Sequence, residues 1–267
     1  MTAMYRARES DRPDALFRDP FARRLAGILG EQILDALPTR STWAWVTRTY
    51  LFDTLITQQI QQGADLVVNL AAGLDARPYR MQLPASLRWV EIDLPELVAW
   101  KQEALAADRP ACRLERIGLD LEDVAGRRDV FERLGASATK AVIITEGILI
   151  YLSNEDVAAF AQDLARPAAF QRWILDLSSP ALLRMIQKDK LGQSLDRAAS
   201  PLKFGPPEGV DFFRPCGWRP LEVRSLLHTA ASLGRLTVFM RLLAMLPDTE
   251  SARRSRPWGG VCLMERV

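Results

Sequence analysis

The feature that most constrains this chain is an apolar run that breaks at a glycine and is followed by an acid. Residues 65–71 are largely apolar, Gly73 follows two residues later, and Asp93 stands twenty residues beyond that glycine. A continuous apolar stretch is typical of a buried parallel strand, and the glycine lets the backbone turn sharply and approach a ligand. The spacing therefore predicts a strand and loop that bind a nucleotide-like cofactor.

Apolar runs recur at the spacing of strands that alternate with helices. The first five predicted strands are at 65–71, 87–92, 112–117, 140–145 and 170–177. Two last strands are predicted at 236–243 and 260–264, after a helix at about 220–233. The order indicates an α/β fold with a doubly wound, mostly parallel, seven-stranded Rossmann-like sheet. Ligands of such sheets bind at the carboxyl ends of the strands.

The segment before the first strand has the periodicity of helices. Apolar residues recur at helical spacing from Phe17 onward, with Asp19 placed as N-cap. A second helix is predicted from about Ser41 until Gly63 ends it. We therefore predict an N-terminal helical cap over residues 1–63.

The remainder, 64–267, is predicted to be the cofactor-binding core. Within it, residues 179–220 carry two short helical pieces and then a stretch rich in Gly, Pro and aromatic residues. A long irregular insertion in a compact domain is usually functional. We interpret this one as a lid over the substrate, inserted after strand 5.

Composition excludes several classes of partner and site. The 35 basic and 33 acidic residues are spread along the chain, and the net charge of +2 forms no basic stripe for nucleic acid or an anionic membrane. The three cysteines are far apart and form no metal-binding motif, so neither a disulfide framework nor a metal site is expected. No run of about 18 apolar residues and no apolar leader occurs, which favours a cytoplasmic protein. The oligomeric state stays open.

The loop after the first strand favours S-adenosylmethionine over a dinucleotide. A dinucleotide fold needs a third glycine where the helix N-terminus receives the pyrophosphate, and residues 74–78 contain none. Asp75 would also repel a pyrophosphate. S-adenosylmethionine has no phosphate and carries sulfonium and ammonium cations, which suit an acid-rich loop. An NAD(P)-dependent oxidoreductase is the alternative from another class.

Acids follow three consecutive predicted strands. Glu91 and Asp93 come after the second strand, Asp120 after the third and Glu146 after the fourth. We expect Asp93, more than Glu91, to bind the ribose hydroxyls. Asp120 then reaches the adenine edge and Glu146 faces the methionine end. Each such charge-assisted bond contributes about 1.5 to 3 kcal/mol.

Taken together, these motifs resemble a known family. The stretches that carry the resemblance are Asn69–Arg77, Val90–Glu96 with Lys101, Asp120–Leu121 and Glu146–Leu152. They are similar to the leucine carboxyl methyltransferase family, and the resemblance covers roughly residues 3–265. Within that family the chain looks closer to the bacterial branch that includes the tetracenomycin-type polyketide O-methyltransferases. The resemblance implies S-adenosyl-L-methionine as cofactor and methyl transfer as activity.

The resemblance also implies roles for individual residues. Arg48 matches the arginine that pairs with the cofactor's carboxylate, and Glu146 matches the acid near its amino group. Gly73 matches the glycine beneath the methionine moiety. Ala71 is a departure, because the family's loop often begins with Gly there, and the added methyl would narrow the pocket slightly. The predicted cofactor-binding residues are Arg48, Ala71, Gly73, Asp75, Asp93, Leu94, Asp120, Leu121 and Glu146.

Several of these side chains have a structural alternative. Asp75 is as well placed to cap the following helix as to touch a cofactor, and Arg77 and Arg80 are expected mainly to brace that helix. The sole histidine, His228, lies in an ordinary amphipathic helix, where packing is the favoured role. A structural role is therefore the favoured interpretation for Arg77, Arg80 and His228, whereas the two interpretations of Asp75 are equal.

Aromatic residues supply the candidates for the acceptor pocket. The predicted substrate-binding residues are Tyr151, Phe204, Phe212, Phe213 and Trp218. Packing within a small core of the insertion is an equal alternative for the last four, as strand-end packing is for Tyr151. Glu146 and Tyr151 are the candidate catalytic residues.

The mechanism depends on the acceptor group. Methyl transfer is an in-line displacement that requires alignment and exclusion of water. A carboxylate is already ionised at neutral pH, whereas a phenol needs help with its proton. The chain has one histidine, in an ordinary helix, and few lysines, so it offers few general bases. This favours a carboxylate acceptor on a small aromatic or polyketide-like molecule. Phenolic O-methylation and a non-catalytic cofactor-binding module are the other hypotheses.

Overall fold

A seven-stranded sheet forms the centre of the computed structural model, which describes residues 1–36 and 42–267. Its strands are β1 Leu66–Leu70, β2 Arg88–Asp93, β3 Arg113–Gly118, β4 Ala141–Thr145, β5 Phe170–Ser178, β6 Trp218–Ser225 and β7 Gly259–Arg266. They lie in the order β3-β2-β1-β4-β5-β7-β6. The first five strands pair in parallel, and β7 runs antiparallel to both β5 and β6. The predicted doubly wound, mostly parallel sheet is confirmed.

Helices flank the sheet within the described residues. Their bounds are α1 Thr2–Ser10, α2 Ala22–Ala36, α3 Thr42–Gln61, α4 Arg77–Arg80, α5 Pro95–Ala104, α6 Val124–Ala136, α7 Asn154–Ala165, α8 Pro180–Lys188, α9 Lys190–Arg197, α10 Leu226–Ser232, α11 Val238–Leu243 and α12 Glu250–Ser255. Two 3₁₀ segments, Leu149–Tyr151 and Gly209–Cys216, follow β4 and α9. No helix among the described ranges is long and apolar enough to cross a bilayer.

The core has two halves because successive side chains of a strand point to opposite faces. Val68 of β1 packs on the face that carries α6, α7 and the 209–216 segment. Its neighbour Val67 packs on the other face, against Phe52 and Leu55 of α3. The central strands β1 and β4 are buried along their whole length. Strand order reverses between them, which is where sheets of this kind bind ligands.

The carboxyl-terminal part of the chain corrects two predictions. Residues 236–243 were expected to form a strand, but Val238–Leu243 is helical and Thr237 caps it by accepting the N–H of Met240. The predicted helix at 220–233 is helical only from Leu226, because Trp218–Ser225 forms β6. Pro220 fits this strand beside a register shift, where a missing N–H does not interrupt the ladder. The predicted insertion therefore ends where β6 begins.

The amino-terminal helices also differ from the expected pattern. The helix predicted from Phe17 begins at Ala22 and is interrupted at Gly27, which has a φ of 57°. Asp19 accepts the N–H of Phe21 at 3.2 Å with one oxygen and binds Arg6 with the other. The second helix is confirmed as α3, and its predicted start at Ser41 lies outside the described residues.

Three of the predicted acceptor-pocket aromatics are core residues. Phe213 and Trp218 are fully buried and pack edge-on against Trp173 of β5, with ring centroids 5.1 and 5.4 Å away. The indole N–H of Trp218 donates to the carbonyl of Ala161 at 2.9 Å. Phe204 is also buried in this cluster. These rings pack the insertion and β6 onto the sheet, as their structural alternative predicted, and their role in substrate binding stays a prediction.

We predict that Trp218→Ala lowers the free energy of unfolding by about 3 to 5 kcal/mol, because it removes a fully buried ring and leaves a cavity. Denaturant titration measures this loss. Phe212→Ala is the control, since the Phe212 ring packs at the edge of the same cluster and is only partly buried. The core assignment would be contradicted if Trp218→Ala kept its stability and lost only acceptor binding.

Candidate functional site

The loop between β1 and α4 carries the first part of the site. Ala71 and Gly73 both adopt left-handed backbone conformations, with φ of 51° and 50°. The N–H of Gly73 donates to one carboxylate oxygen of Asp93 at 2.6 Å. The other oxygen of Asp93 accepts the N–H of Leu94 at 2.8 Å. The loop and the acid are thus fixed against each other at the carboxyl ends of β1 and β2.

A shallow recess opens beside this contact. It is lined by Ala72, Gly73, Glu91, Asp93, Leu97, Val98, Lys101 and Arg116. The two oxygens of Glu91 are taken by Lys101 and Arg116, each at 2.9 Å. Each oxygen of Asp93, in contrast, accepts one backbone N–H group and, among the described residues, no charged side chain, and can accept a further bond. Asp93 is therefore the better placed of the two acids to receive a ligand's hydroxyls.

The residues predicted to contact adenine lie at the same edge of the sheet. The backbone N–H of Leu119, just past β3, donates to the carbonyl of Asp93 at 2.8 Å. Asp120 follows and is exposed, with one oxygen accepting the N–H of Glu122 at 2.9 Å. Leu121 comes next and is partly buried. The structure thus brings Asp120 and Leu121 to the end of the strand beside Asp93.

A set of buried ion pairs joins α3, the β1 loop, β4 and β5. Its members, called here the ion-pair chain, are Arg48, Asp53, Asp75, Arg77, Arg80, Glu146 and Asp176. Arg77 is its centre and lies 2.6 Å from Asp53, 2.6 Å from Asp75 and 2.8 Å from Glu146. A buried guanidinium needs such partners because removing it from water is costly.

Arg48 and Glu146, predicted for the methionine end of the cofactor, meet in this chain. The Nε of Arg48 lies 3.2 Å from Glu146, whose other oxygen lies 2.8 Å from Arg77. The Arg48 guanidinium also lies over the ring of Trp45, 4.9 Å from its centroid. Two residues far apart in sequence therefore form one polar pocket between α3 and β4.

Asp75 makes the structural contacts that were the alternative to a cofactor role. It is buried, and its oxygens accept bonds from the side chains of Asn69 and Arg77 and from the backbone N–H of Arg77. Burial by itself raises the pKa of Asp75, but the charges of Arg77 and Lys101 outweigh it, so the pKa lies below its usual range. These bonds place Asp75 at the start of α4 and fix the central arginine, and a cofactor contact of Asp75 stays a prediction.

Tyr151, the second candidate catalytic residue, ends the 3₁₀ segment after β4 and is partly buried. Burial raises the pKa of its phenol, and the positive charge of Arg48 only partly opposes this. The phenol is therefore protonated at neutral pH. Phe212, the remaining aromatic candidate, is partly buried at the edge of the aromatic cluster.

Sequence reasoning missed two acids of the ion-pair chain. Asp53 binds Arg77 and Arg80 at 2.6 and 2.7 Å, and Asp176 binds Arg48 at 2.9 Å. Both left a signal. Asp53 interrupts the apolar pattern of α3, and Asp176 lies near the end of β5, where the rule of an acid after each strand could have been extended.

A second recess lies where β5 ends. It is lined by Leu177, Ser178, Ser179, Pro206, Glu208, Gly209, Val210, Glu250, Arg253, Arg254 and Trp258. Arg253 lies over the ring of Trp258 and binds Asp248 through two bonds of 2.9 and 3.0 Å. His228 is not among its lining residues, and its Nε2 lies 3.1 Å from the carbonyl of Leu246.

Comparison with known proteins decides the family. The family model described as leucine carboxyl methyltransferase matches residues 1–165, more than half of the chain. The chain belongs to the leucine carboxyl methyltransferase family. The match includes α3, the β1 loop and the acids after β2, β3 and β4, and it ends before β5.

Relatives over most of the length agree with the family. A protein of Parafrankia sp. (strain EAN1pec) is 31% identical over 84% of this chain and 76% of its own length. One of Streptomyces avermitilis is 30% identical over 99% of this chain and 93% of its own. Both are named as S-adenosyl-L-methionine-dependent methyltransferases. The chain is accordingly an S-adenosylmethionine-dependent methyltransferase.

Solved structures show the same fold at low sequence identity. A DUF574 family protein of Streptomyces avermitilis aligns over 100% of this chain and 97% of its own, with a TM-score of 0.61 and 12% identity. Magnesium protoporphyrin IX methyltransferase of Synechocystis PCC 6803 aligns over 92% and 99%, with a TM-score of 0.50 and 13% identity. At these identities the likeness concerns the fold alone.

The residues of the site fit S-adenosylmethionine. The left-handed turn at Gly73 brings backbone close to the recess, and Asp93 there can accept hydroxyl hydrogens. The Nε of Arg48 is buried without a hydrogen-bond partner, so a donor is left for an anionic group. The ion-pair chain holds three arginines and four carboxylates, and this single excess negative charge matches a cofactor whose net charge is positive.

We predict that Ala71→Gly raises the free energy of unfolding by about 1 kcal/mol, because a left-handed conformation costs an alanine more than a glycine. Thermal unfolding of the cofactor-free protein measures the gain. Ala72→Gly is the matched control, since its φ is not positive and the same change there should lower stability. A loss of stability in Ala71→Gly would contradict the strained turn.

Asp53→Asn should lower the free energy of unfolding at neutral pH by about 3 kcal/mol, because buried Arg80 loses its nearest counter-charge and buried Arg77 loses one of three. Burial opposes ionisation of Asp53, but Arg80 and Arg77 hold its pKa below the usual value. The unfolded chain therefore binds the proton more tightly. The stabilisation is present above about pH 4 and is lost as the pH falls towards the folded-state pKa.

Urea unfolding at several pH values checks this prediction. The difference between wild type and Asp53→Asn should shrink as the pH falls below about 4. Asp129→Asn, at an exposed position of α6, should match wild type throughout. A difference that stays constant in acid would show that the charge of Asp53 is not what stabilises the fold.

Proposed function

We propose that this chain transfers the methyl group of S-adenosylmethionine to a carboxylate oxygen of a small aromatic or polyketide-like molecule, as an enzyme of the tetracenomycin-type branch of its family. In this proposal Arg48 binds the cofactor's carboxylate and Glu146 its ammonium group. Asp93, with Leu94 beside it, receives the ribose hydroxyls, and the adenine lies against Asp120 and the residue after it. Ala71 and Gly73 form the floor beneath the methionine moiety.

The observation that carries the choice of a carboxylate is the state of the ionisable groups around Glu146. Each oxygen of Glu146 lies beside a guanidinium, of Arg48 at 3.2 Å and of Arg77 at 2.8 Å, so Glu146 acts as a counter-charge in this proposal and not as a base. The phenol of Tyr151 has a raised pKa and keeps its proton at neutral pH. His228 is bonded to a carbonyl of the β6 to β7 connection. An acceptor that is already ionised needs no base, and a carboxylate meets that condition.

The recess at the end of β5 supports a small, partly apolar acceptor. It lies at the carboxyl edge of the sheet, where ligands of this fold bind. Its apolar lining includes Pro206, Val210 and Trp258. We propose that the 179–220 insertion covers this acceptor, and that residues 1–63 form a cap whose last helix completes the cofactor pocket on the 64–267 core.

The chemistry of this chain's own residues is then positioning and exclusion of water. Asp93 and Arg48 anchor the two ends of the cofactor, which itself supplies the electrophilic methyl group. The acceptor carboxylate approaches from the β5 side. Tyr151 lines that approach and can donate its phenolic hydrogen to an acceptor oxygen without removing a proton. Burial of both partners removes the water that would otherwise stabilise the ionised acceptor.

The proposal is tested with methyl-labelled S-adenosylmethionine and a pair of acceptors that differ only in the reacting group, 2-naphthoic acid and 2-naphthol. We expect label on the acid, at a rate that is flat from about pH 6 to about pH 9, because the acid is ionised throughout. Mild alkali should then release the label as methanol, since an ester is hydrolysed and an aryl methyl ether is not.

Two variants serve as controls. Asp93→Ala should abolish transfer by weakening cofactor binding, whereas Glu96→Ala, at an exposed position in the first turn of α5, should retain it. Alkali-stable label that appears on the naphthol, with a rate that rises with its ionisation, would replace the carboxylate by a phenol. Cofactor binding with no label on any acceptor would favour a non-catalytic cofactor-binding module.

A further inference from the structure

Asp176 occupies a position between the two groups proposed to hold the methionine end of the cofactor. One of its oxygens accepts the backbone N–H of Gly147 at 2.7 Å, and the other accepts Nη1 of Arg48 at 2.9 Å. Gly147 directly follows Glu146, at the end of β4. A single carboxylate on β5 thus holds both the turn that carries Glu146 and the arginine that faces it.

The guanidinium of Arg48 has little freedom to move in this arrangement. On one side it lies over the ring of Trp45. On the other it lies against Gly147, whose φ of 76° suits glycine and where an added Cβ would stand 3.1 Å from Nη1. Asp176 closes the end of this slot. The remaining direction is towards Glu146.

The contact between Arg48 and Glu146 is incomplete. Their atoms approach to 3.2 Å, yet Nε of Arg48 is buried and makes no hydrogen bond. An arginine with a single counter-ion would turn to form two parallel bonds with it. Arg48 does not, because Asp176 draws its other end away. Both Arg48 and Glu146 therefore keep bonding capacity that a closed pair would have used.

We infer that Asp176 is a positioning residue for cofactor binding. It fixes the positions of Arg48 and of the Glu146–Gly147 turn, so that Nε of Arg48 stays able to receive a carboxylate and Glu146 an ammonium group. This rests on the proposed contacts of Arg48 and Glu146 with the amino-acid end of the cofactor. Without the charge of Asp176, Arg48 closes onto Glu146 and competes with both cofactor groups.

The test compares two ligands that differ only at that end. S-adenosylhomocysteine carries the amino-acid group, and 5′-methylthioadenosine lacks its carboxylate and ammonium. Asp176→Asn keeps the size of the side chain and an acceptor for Gly147, and removes the charge. By calorimetry we expect Asp176→Asn to bind S-adenosylhomocysteine at least about tenfold more weakly, as loss of a charge-assisted bond implies. Binding of 5′-methylthioadenosine should stay within about twofold of wild type.

Matched variants separate this role from general stability. Asp163 is another buried acid with two arginine partners, Arg127 and Arg128, on α6. Asp163→Asn should lower the melting temperature and leave both affinities unchanged. Asp93→Asn should weaken both ligands, because both contain the ribose. Equal weakening of the two ligands by Asp176→Asn would overturn the inference and make Asp176 a structural residue.

Unchanged binding of S-adenosylhomocysteine by Asp176→Asn would also overturn it. Arg48→Ala then separates the two proposals. If Arg48→Ala weakens S-adenosylhomocysteine and spares 5′-methylthioadenosine, the proposed contact of Arg48 stands and only the role of Asp176 falls. If Arg48→Ala also leaves both affinities unchanged, the proposed cofactor contact falls with it.

Discussion

The interaction on which the rest of this structure depends is the burial of Arg77 among three carboxylates. Asp53 comes from α3, Asp75 from the loop after β1, and Glu146 from the end of β4. A guanidinium out of water is tolerated only when its charge and donors are matched. Each of these acids is therefore constrained to one place, and the helix, loop and strand that carry them are constrained together.

This constraint ties the amino-terminal helices to the proposed cofactor site. Arg48 and Asp53 lie on one helix, and the apolar side chains of that helix pack against the back of the sheet. Arg6 of α1 reaches the same region, where it binds Asp19 and the carbonyl of Leu74 in the cofactor loop. Helix α3 therefore both covers the sheet and contributes Arg48 and Asp53 to the ion-pair chain.

The two ends of the site differ in how they are built. The cofactor end is rigid, because Asp93, Glu146 and their partners are fixed by backbone and ion-pair contacts. The recess where we propose that the acceptor binds lies beyond β5, in the part of the chain that the family model does not match.

The sequence alone determined the five parallel strands β1 to β5, the loop at Gly73 and the acids after β2 to β4, because these follow from local periodicity and from residues adjacent in the chain. The sequence could not show which side chains Asp75 and Arg48 bind, since ion pairs between distant segments leave no local pattern. The run at 236–243 was mistaken for a strand because short apolar runs are ambiguous. Tertiary packing decided these cases, and it decided that Trp218 belongs to the core, because only the folded chain shows which side chains lose contact with water.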